Sequence, residues 1–346
     1  MGTHARPHRL HRTGARIATV ALIGAVLPVT AAGLAEAAVP SATHAVDGTD
    51  APGAAPTARA LRSRSAPATY TRTPGAASEA KVRSQDVPNT GVDHAFLLDA
   101  RDGSQEREMW AGAKADESVS MASTTKIMTA LVVLRHPEWL DRPITVRQAY
   151  RDYVQENGAS TADLQTGDTL TARQLLHAML IPSGGDAAMA LADSFGAGET
   201  QEARIADFED QMNAEARQLG LTGTHFDSFD GISHGDNRST ARDLARLGQR
   251  AMLQPVFAEA VKNTQYKTEA PAANGHTRYY TWNTTNALLS TYDGALGIKT
   301  GSGAEAGYSL VFAAERADRT LVGAIVGADH EVFEDATAIL DWGFAH

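Results

Sequence analysis

The run Ser123-Thr124-Thr125-Lys126 places a hydroxyl three positions before an amine. On a helix, residues three apart lie on one face, so the lysine could reach the serine oxygen. A serine hydroxyl is a weak nucleophile until a neighbouring base takes its proton, and an uncharged lysine can be that base. Burial or a nearby cation would have to lower the pKa of the lysine. The spacing therefore predicts Ser123 as nucleophile and Lys126 as general base.

The same spacing also has an ordinary structural interpretation. Composition alone places a serine three residues before a lysine about once in a chain of this length. The pair recurs at Ser78 and Lys81, in a segment with almost no large apolar residues and hence no core to hold it. Taken alone, Ser123 could begin a helix whose lysine is exposed, and other elements must decide between the two interpretations.

A second element, Lys299-Thr300-Gly301-Ser302, follows a short strand pattern. At the rim of a strand, Lys299 could lower the pKa of Lys126 and attract a substrate carboxylate, to which Thr300 also offers a hydroxyl. Gly301 would let a peptide lie against the strand edge. The backbone N–H of Ser302 could serve as an oxyanion donor beside that of Ser123. The alternative is a solvated lysine at a strand end.

A third element, Ser183-Gly184-Gly185-Asp186, follows Pro182, which should end a helix. Ser183 or Asp186 could cap the next helix, and on this element alone the cap is the better supported interpretation. The functional interpretation makes Ser183 a hydroxyl bridge between Lys126 and the leaving amine.

These residues need secondary structure to bring them together. An apolar run predicts a strand at 95–98, Asp102-Gly103 predicts a turn, and 106–110 is the predicted hairpin partner. Strands at both ends of this region, with helices between them, predict one antiparallel sheet covered by helices. The other predicted helices are 123–134, 172–180, 187–195, 205–219, 241–252 and 332–342, and the other predicted strands are 294–300, 308–314 and 321–326.

In order and spacing, the three elements resemble the Ser-x-x-Lys, Ser-Asp-Asn and Lys-Thr-Gly set of β-lactamases and penicillin-binding proteins. The wider sequence resembles the low-molecular-mass penicillin-binding proteins, which are serine-type D-alanyl-D-alanine carboxypeptidases. The resemblance extends over about residues 92–344. The matching stretches are 121–130, 180–184, 239–244 and 297–301.

The resemblance implies an α/β (α+β) fold of the β-lactamase/transpeptidase type. It has an antiparallel sheet flanked by helices and an all-helical subdomain, with the active site in the cleft between them. It implies acylation of Ser123 by peptidoglycan stem peptides ending in D-Ala-D-Ala, release of D-alanine, and hydrolysis or transfer to an amine. It also implies covalent inhibition by β-lactams, and no metal or organic cofactor is expected.

The chain departs from the family pattern at two positions. Gly185 stands where relatives usually carry an asparagine that hydrogen-bonds the substrate backbone, so an asparagine there should improve hydrolysis. Val332 stands where relatives often carry an arginine that helps to bind the terminal carboxylate. Both departures predict an altered substrate preference.

Two other functions remain open at this stage. A β-lactamase would need a glutamate that activates the deacylating water. Glu209 to Asn213 has a similar pattern, but it lies in an apolar periodicity that predicts an amphipathic helix. A non-catalytic wall-peptide or β-lactam binder would fit a degraded third element, although the intact Ser123, Lys126 and Lys299 argue against it.

Composition excludes some classes of function. The 346 residues carry a net charge of −10 and no cysteine, which argues against nucleic-acid binding and excludes disulfides and thiol catalysis. The histidines lack metal-ligand spacing, so no metal site is predicted.

The first residues predict export. A basic stretch, an apolar run and the small-residue site Ala35-Glu36-Ala37 have the layout of a secretory signal at 1–37. An uncleaved anchor is the alternative, and no later stretch could cross a bilayer. Residues 38–91, rich in Ala, Pro, Ser and Thr, predict a disordered linker, and 92–346 the penicillin-binding domain. The protein should be extracellular or associated with the cell wall.

Overall fold

The computed structural model describes residues 87–100 and 106–346 of the chain. The predicted signal at 1–37, nearly all of the linker and the turn at 102–103 lie outside the described residues.

The described chain begins with strands, continues through helices and returns to strands. The strands are β1 (Ala95–Asp99), β2 (Arg107–Ala111), β3 (Val119–Ser120), β4 (Pro143–Thr145), β5 (Thr169–Thr171), β6 (Arg238–Ser239), β7 (Gln265–Pro271), β8 (Thr277–Asn283), β9 (Ala295–Gly303), β10 (Gly307–Arg316) and β11 (Arg319–Ala328). The helices are α1 (Lys126–Leu134), α2 (Gln148–Asn157), α3 (Ala172–Leu180), α4 (Gly185–Phe195), α5 (Gln201–Gln218), α6 (Ala241–Met252), α7 (Pro255–Lys262), α8 (Leu288–Thr291) and α9 (Phe333–Ala345).

One sheet joins the two ends of the described chain, in the strand order β2-β1-β11-β10-β9. Each neighbouring pair is antiparallel, as the sequence predicts. Strands β10 and β11 are buried on both faces because helices cover both sides. Alternate residues of β10 therefore face different layers, with Val311 packing in the larger core and Phe312 in the core beneath α9. Strand β9 is left at the sheet edge.

Helix α1 lies at the centre of the helical region, and all nine of its residues are buried. A helix that is apolar on every side must be surrounded, and α3, α4, α5 and α6 pack around it. The predicted combination of an antiparallel sheet with a helical region is therefore present.

Some predicted boundaries and omissions need correction. The helix expected from residue 123 begins at Lys126, because Ala122–Thr125 form a 3-10 turn. Helix α5 begins four residues before the predicted start, since the Thr200 side chain accepts from Ala203 N. Helices α2 and α7 and the hairpin β7–β8 were not predicted. Within the described residues, no helix has the length and apolar character needed to cross a membrane.

Candidate active site

The 3-10 turn Ala122–Thr125 presents Ser123 at the start of α1 and packs against β9. Gly301 makes this approach possible, since a Cβ there would lie 3.0 Å from Met121 O and 3.2 Å from Ser123 N. The glycine was expected to leave room for a peptide along the strand edge. Its surroundings give a second reason for a glycine, which is that β9 must lie directly against the turn that carries Ser123.

The predicted contact between Ser123 and Lys126 is present. The Nζ of Lys126 lies 3.0 Å from Ser123 Oγ and donates to the backbone oxygen of Asp230 at 2.7 Å. Only 1% of Lys126 is exposed, and burial lowers its pKa, while the carboxylates of Asp230 and Asp186 oppose that shift. Of the two causes considered from the sequence, burial lowers the pKa of Lys126, and a neighbouring cation is not among the causes.

Lys299 lies beneath the strand rim rather than on it, with 1% of the residue exposed. Its Nζ lies 3.0 Å from Ser183 Oγ and 2.8 Å from the backbone oxygen of Thr300. Burial, and then the charge of nearby Lys126, bring the pKa of Lys299 well below its usual value. The solvated strand-end interpretation of Lys299 is therefore wrong.

Ser183 occupies the turn between α3 and α4 with a φ of +67°, a strained value for a residue other than glycine. The predicted cap is wrong, because Gly184 occupies the N-cap of α4 and no side chain caps it. Asp186 instead binds the N–H groups of Ala162 and Leu164. Among the hydrogen bonds of the described residues, the Ser183 hydroxyl accepts from Lys299 and has none with Lys126.

Gly185 lies where a side chain would be crowded. A Cβ there would be 2.9 Å from Ala159 Cβ and 3.0 Å from Asp230 Oδ2, and the Gly185 N–H already donates to Ser160 O at 2.7 Å. The benefit expected of an asparagine at 185 would require these neighbours to move, so the packing argues against it.

Sequence reasoning missed Asp230. Its backbone oxygen accepts from Lys126, and its buried Oδ2 lies 3.8 Å from the same Nζ with no hydrogen-bond partner among the described residues. The Oδ1 accepts from Ser228 Oγ and from Ile232 N. A backbone contact leaves no trace in residue type, so no sequence pattern could have identified it.

A pocket of about 170 Å³ opens between the end of β9 and the start of α9. Thr300 forms part of it, and its Oγ1 lies 2.6 Å from Thr285 Oγ1. We call it the rim pocket; its lining residues are Thr285, Thr300, Gly301, Ser302, Tyr308, Ser309, Glu331, Val332 and Phe333.

The Glu209 pattern lies within α5, as predicted. Burial, followed by the charges of Asp227 and Asp230, raises the pKa of Glu209 to about 7. Within the part of the chain that the structure describes, no group of three or more His, Asp or Glu side chains could hold a metal ion.

A family model described as D-alanyl-D-alanine carboxypeptidase, peptidase S11, matches residues 82–330 of the chain. The chain belongs to this family. It is therefore a low-molecular-mass penicillin-binding protein and a serine-type hydrolase, as the resemblance implied.

Individual relatives agree with this assignment. A D-alanyl-D-alanine carboxypeptidase of Streptomyces sp. strain K15 is 47% identical over 235 residues, covering 67% of this chain and 81% of the relative. DacB2 of Mycobacterium tuberculosis, also a D-alanyl-D-alanine carboxypeptidase, is 34% identical over 245 residues, covering 69% of this chain and 78% of the relative. The crystal structure of the Streptomyces K15 DD-transpeptidase superposes with a TM-score of 0.72 at 44% identity, covering 75% of this chain and 99% of that one. The transpeptidase-like fold class is thus confirmed.

Proposed function

We propose that this penicillin-binding protein cleaves the terminal D-alanyl-D-alanine bond of peptidoglycan stem peptides through an acyl-enzyme on Ser123. The observation that supports this best is the 3.0 Å separation between Ser123 Oγ and the buried amine of Lys126. Burial favours the uncharged amine, and an uncharged amine within hydrogen-bond reach can accept the serine proton.

In the acylation step, Ser123 Oγ attacks the carbonyl carbon of the penultimate D-alanine as Lys126 takes its proton. The backbone N–H groups of Ser123 and Ser302 are the proposed donors to the oxyanion. The close approach of Gly301 to the Ser123 backbone supports this pairing, because it brings the two segments side by side.

Departure of D-alanine requires a proton on its nitrogen. Ser183 is the proposed relay, since its hydroxyl is buried in the site and oriented by Lys299. Water or an amine then attacks the ester on Ser123, which frees the serine and releases the shortened or transferred peptide.

For the terminal carboxylate of the substrate we propose Thr300 as the direct contact, with Lys299 beneath it. An approaching carboxylate would favour the charged form of Lys299, because opposite charges at short range favour ionisation. Gly301 and Ser302 would then adjoin the substrate backbone along the free edge of β9.

The cell-level proposals follow from the N-terminal sequence and the family. The family acts on peptidoglycan, which lies outside the cytoplasm. We propose that 1–37 is a secretory signal, 38–91 a linker and 92–346 the catalytic domain of an extracellular or wall-associated protein. A mature protein whose first residue is Ala38 would support the cleavage, and an intact N-terminus would contradict it.

Incubation with a fluorescent penicillin, followed by a denaturing gel, tests the acyl-enzyme. We expect a stable adduct that is lost in Ser123→Ala and kept in Ser78→Ala, which alters the second Ser-x-x-Lys copy. Labelling that disappears within minutes would indicate a β-lactamase instead. No labelling of the folded wild-type chain would indicate a non-catalytic binder.

A further inference from the structure

A second pocket, of about 480 Å³, lies on the helical region at the end of α4. Three arginines line it, Arg142, Arg147 and Arg204, and Asp193 is the one acid among the described residues of its lining. We call it the arginine pocket. Its local excess of positive charge contrasts with the net charge of −10 of the whole chain. The arginine pocket shares no lining residue with the rim pocket, so it has no part in the proposed acyl transfer.

The acid of this pocket, Asp193, is already bound by protein groups, and its side chain is fully buried. Its Oδ2 accepts from Tyr150 Oη and Arg147 Nη1, each at 2.7 Å, and its Oδ1 accepts from Arg204 Nε at 2.7 Å. Arg204 donates further to two backbone oxygens of the loop that follows α4. Arg204 therefore balances the charge of Asp193, and most of its donors are in use.

Arg142 and Arg147 keep donors for a ligand. The Arg142 side chain is exposed, and its guanidinium has no hydrogen bond or ion pair among the described residues. Its guanidinium carbon lies 5.3 Å from the centre of the Phe195 ring, a cation–π contact against the pocket wall. Arg147 uses one of its three nitrogens for Asp193, and 58% of its side chain is exposed. The buried carboxylate thus orients an arginine whose other nitrogens remain available.

Two positive charges remain for a ligand, because the acids that precede Arg142 in the chain pair elsewhere. Glu138 lies 3.2 Å from His136, and Asp141 lies 3.8 Å from Arg173. A phosphate monoester carries a charge of about −1.5 to −2 near neutral pH, which exceeds the single charge of a carboxylate. The planar guanidinium group also matches the spacing of phosphate oxygens. Phosphate is therefore the anion that these two arginines fit.

We infer that the arginine pocket binds a phosphate group, either free phosphate or the terminal phosphate of a sugar or polyol. Ser194 adds a hydroxyl to the lining that can donate to a phosphate oxygen. Helix α4 begins at Gly185, beside Ser183, and ends at Phe195, and its length corresponds to a rise of about 16 Å. A phosphate in this pocket would thus leave the substrate site open. The inference does not rest on the proposed acyl-enzyme.

Isothermal titration calorimetry at constant ionic strength tests the inference, with inorganic phosphate, glycerol 3-phosphate and acetate as probes. We expect saturable binding of each phosphate at a single site, and binding of acetate about tenfold weaker or more, because it forms fewer charge-assisted contacts. Tighter binding of glycerol 3-phosphate would assign the pocket to a phosphate on a carrier. Tighter or equal binding of inorganic phosphate would assign it to the free ion. Either result supports a phosphate site.

Two variants remove the charges assigned to the ligand. We expect Arg142→Gln and Arg147→Gln each to weaken phosphate binding about tenfold or more. Arg217→Gln is the matched control, because Arg217 is an exposed arginine on α5 that does not line the pocket. If Arg147→Gln does not fold without its bond to Asp193, Arg142→Gln still decides the question, because the Arg142 guanidinium has no bond to lose among the described residues.

Repeating the titration after penicillin treatment separates this pocket from the active site. We expect the affinity for phosphate to be unchanged in the labelled protein, and a loss of binding would place the phosphate at Ser123 and overturn the inference. It would also be overturned if neither phosphate bound saturably, if acetate bound as tightly, or if Arg142→Gln and Arg217→Gln lost affinity equally. Absence of penicillin labelling would remove the proposed acyl-enzyme and leave the phosphate site to be decided by the variants.

Discussion

At Lys126, burial and nearby negative charge shift the pKa of the amine in opposite directions. Burial lowers the pKa of the lysine, and the carboxylates of Asp230 and Asp186 raise it. Of these two aspartates, Asp230 has direct contacts with the lysine amine. Its Oδ2 lies 3.8 Å from Lys126 Nζ, and its backbone oxygen accepts a hydrogen bond from the same Nζ. Asp230, which makes no proposed contact with substrate, therefore opposes the effect of burial on the pKa of Lys126.

Replacing the Asp230 carboxylate should change the pH dependence of acylation. Asp230→Asn removes a charge that favours the ammonium form, so the pKa of Lys126 should fall further. Acylation needs the neutral amine, so the acidic limb of the rate–pH profile should move to lower pH. The rate of labelling by a fluorescent penicillin across pH measures this.

Asp227→Asn provides the comparison for that experiment. It makes the same chemical change on a neighbouring acid that is not among the causes of the lowered pKa of Lys126. A limb that moves to higher pH in Asp230→Asn, or moves equally in both variants, would contradict the electrostatic role of Asp230.

At the scale of elements, the site depends on how closely β9 packs against the 3-10 turn. Gly301 and Gly303 both lie in β9, but a Cβ at 303 would meet ordinary contact, 3.7 Å from Ala306 Cβ. At 301 the added atom would press on Met121 O and Ser123 N. The two glycines thus form a matched pair that separates positioning of the nucleophile from a general effect on the strand.

Gly301→Ala should slow acylation about tenfold or more, because small displacements of a reacting group cost orders of magnitude in rate. Gly303→Ala should retain the wild-type rate. Stopped-flow acylation by a chromogenic β-lactam measures both variants, and melting temperatures show whether each is folded. Equal rates in two folded variants would mean that the approach of β9 does not position Ser123.

Elements with clear apolar periodicity were predictable from the sequence. Helices α3 and α6 have the predicted bounds, since each begins after a threonine that caps it through its side chain. Helix α2 was missed because Tyr150 is its one buried residue, which leaves little periodicity to detect. The hairpin β7–β8 was missed because most of its residues are exposed.

The site residues that can be recognised by their side-chain type and spacing were predictable from the sequence. Ser123, Lys126, Ser183 and Lys299 come together as their spacing in the family pattern implied. Asp230 was not predictable, because its contact with Lys126 passes through the backbone and through a fold that brings residues 104 positions apart together. The crowding at Gly185 also depends on packing that the sequence does not reveal.

At the scale of the whole molecule, two buried lysines lower the stability of the protein at neutral pH. The folded chain holds Lys299 with a pKa well below the usual 10.5, so the unfolded chain binds a proton that the folded chain releases. Stability therefore rises with pH until the unfolded lysine also loses its proton. Burying these amines favours catalysis at the expense of stability.

Lys299→Met should therefore be inactive and more stable. We expect its melting temperature to exceed that of the wild type by about 2 °C or more at pH 7, with the difference shrinking as pH rises toward the usual lysine pKa. Calorimetry across pH measures this, and Lys267→Met provides an exposed control on β7. A difference that does not vary with pH would contradict a neutral, buried Lys299.

The central claim is that the acyl group resides on Ser123 because Lys126 activates it. The most direct measurement is peptide mapping by mass spectrometry after penicillin treatment of the wild type and Lys126→Ala. We predict one adduct per wild-type chain, on the peptide that contains Ser123, and almost none in folded Lys126→Ala. An adduct on Ser183, or undiminished labelling without the lysine, would contradict the account.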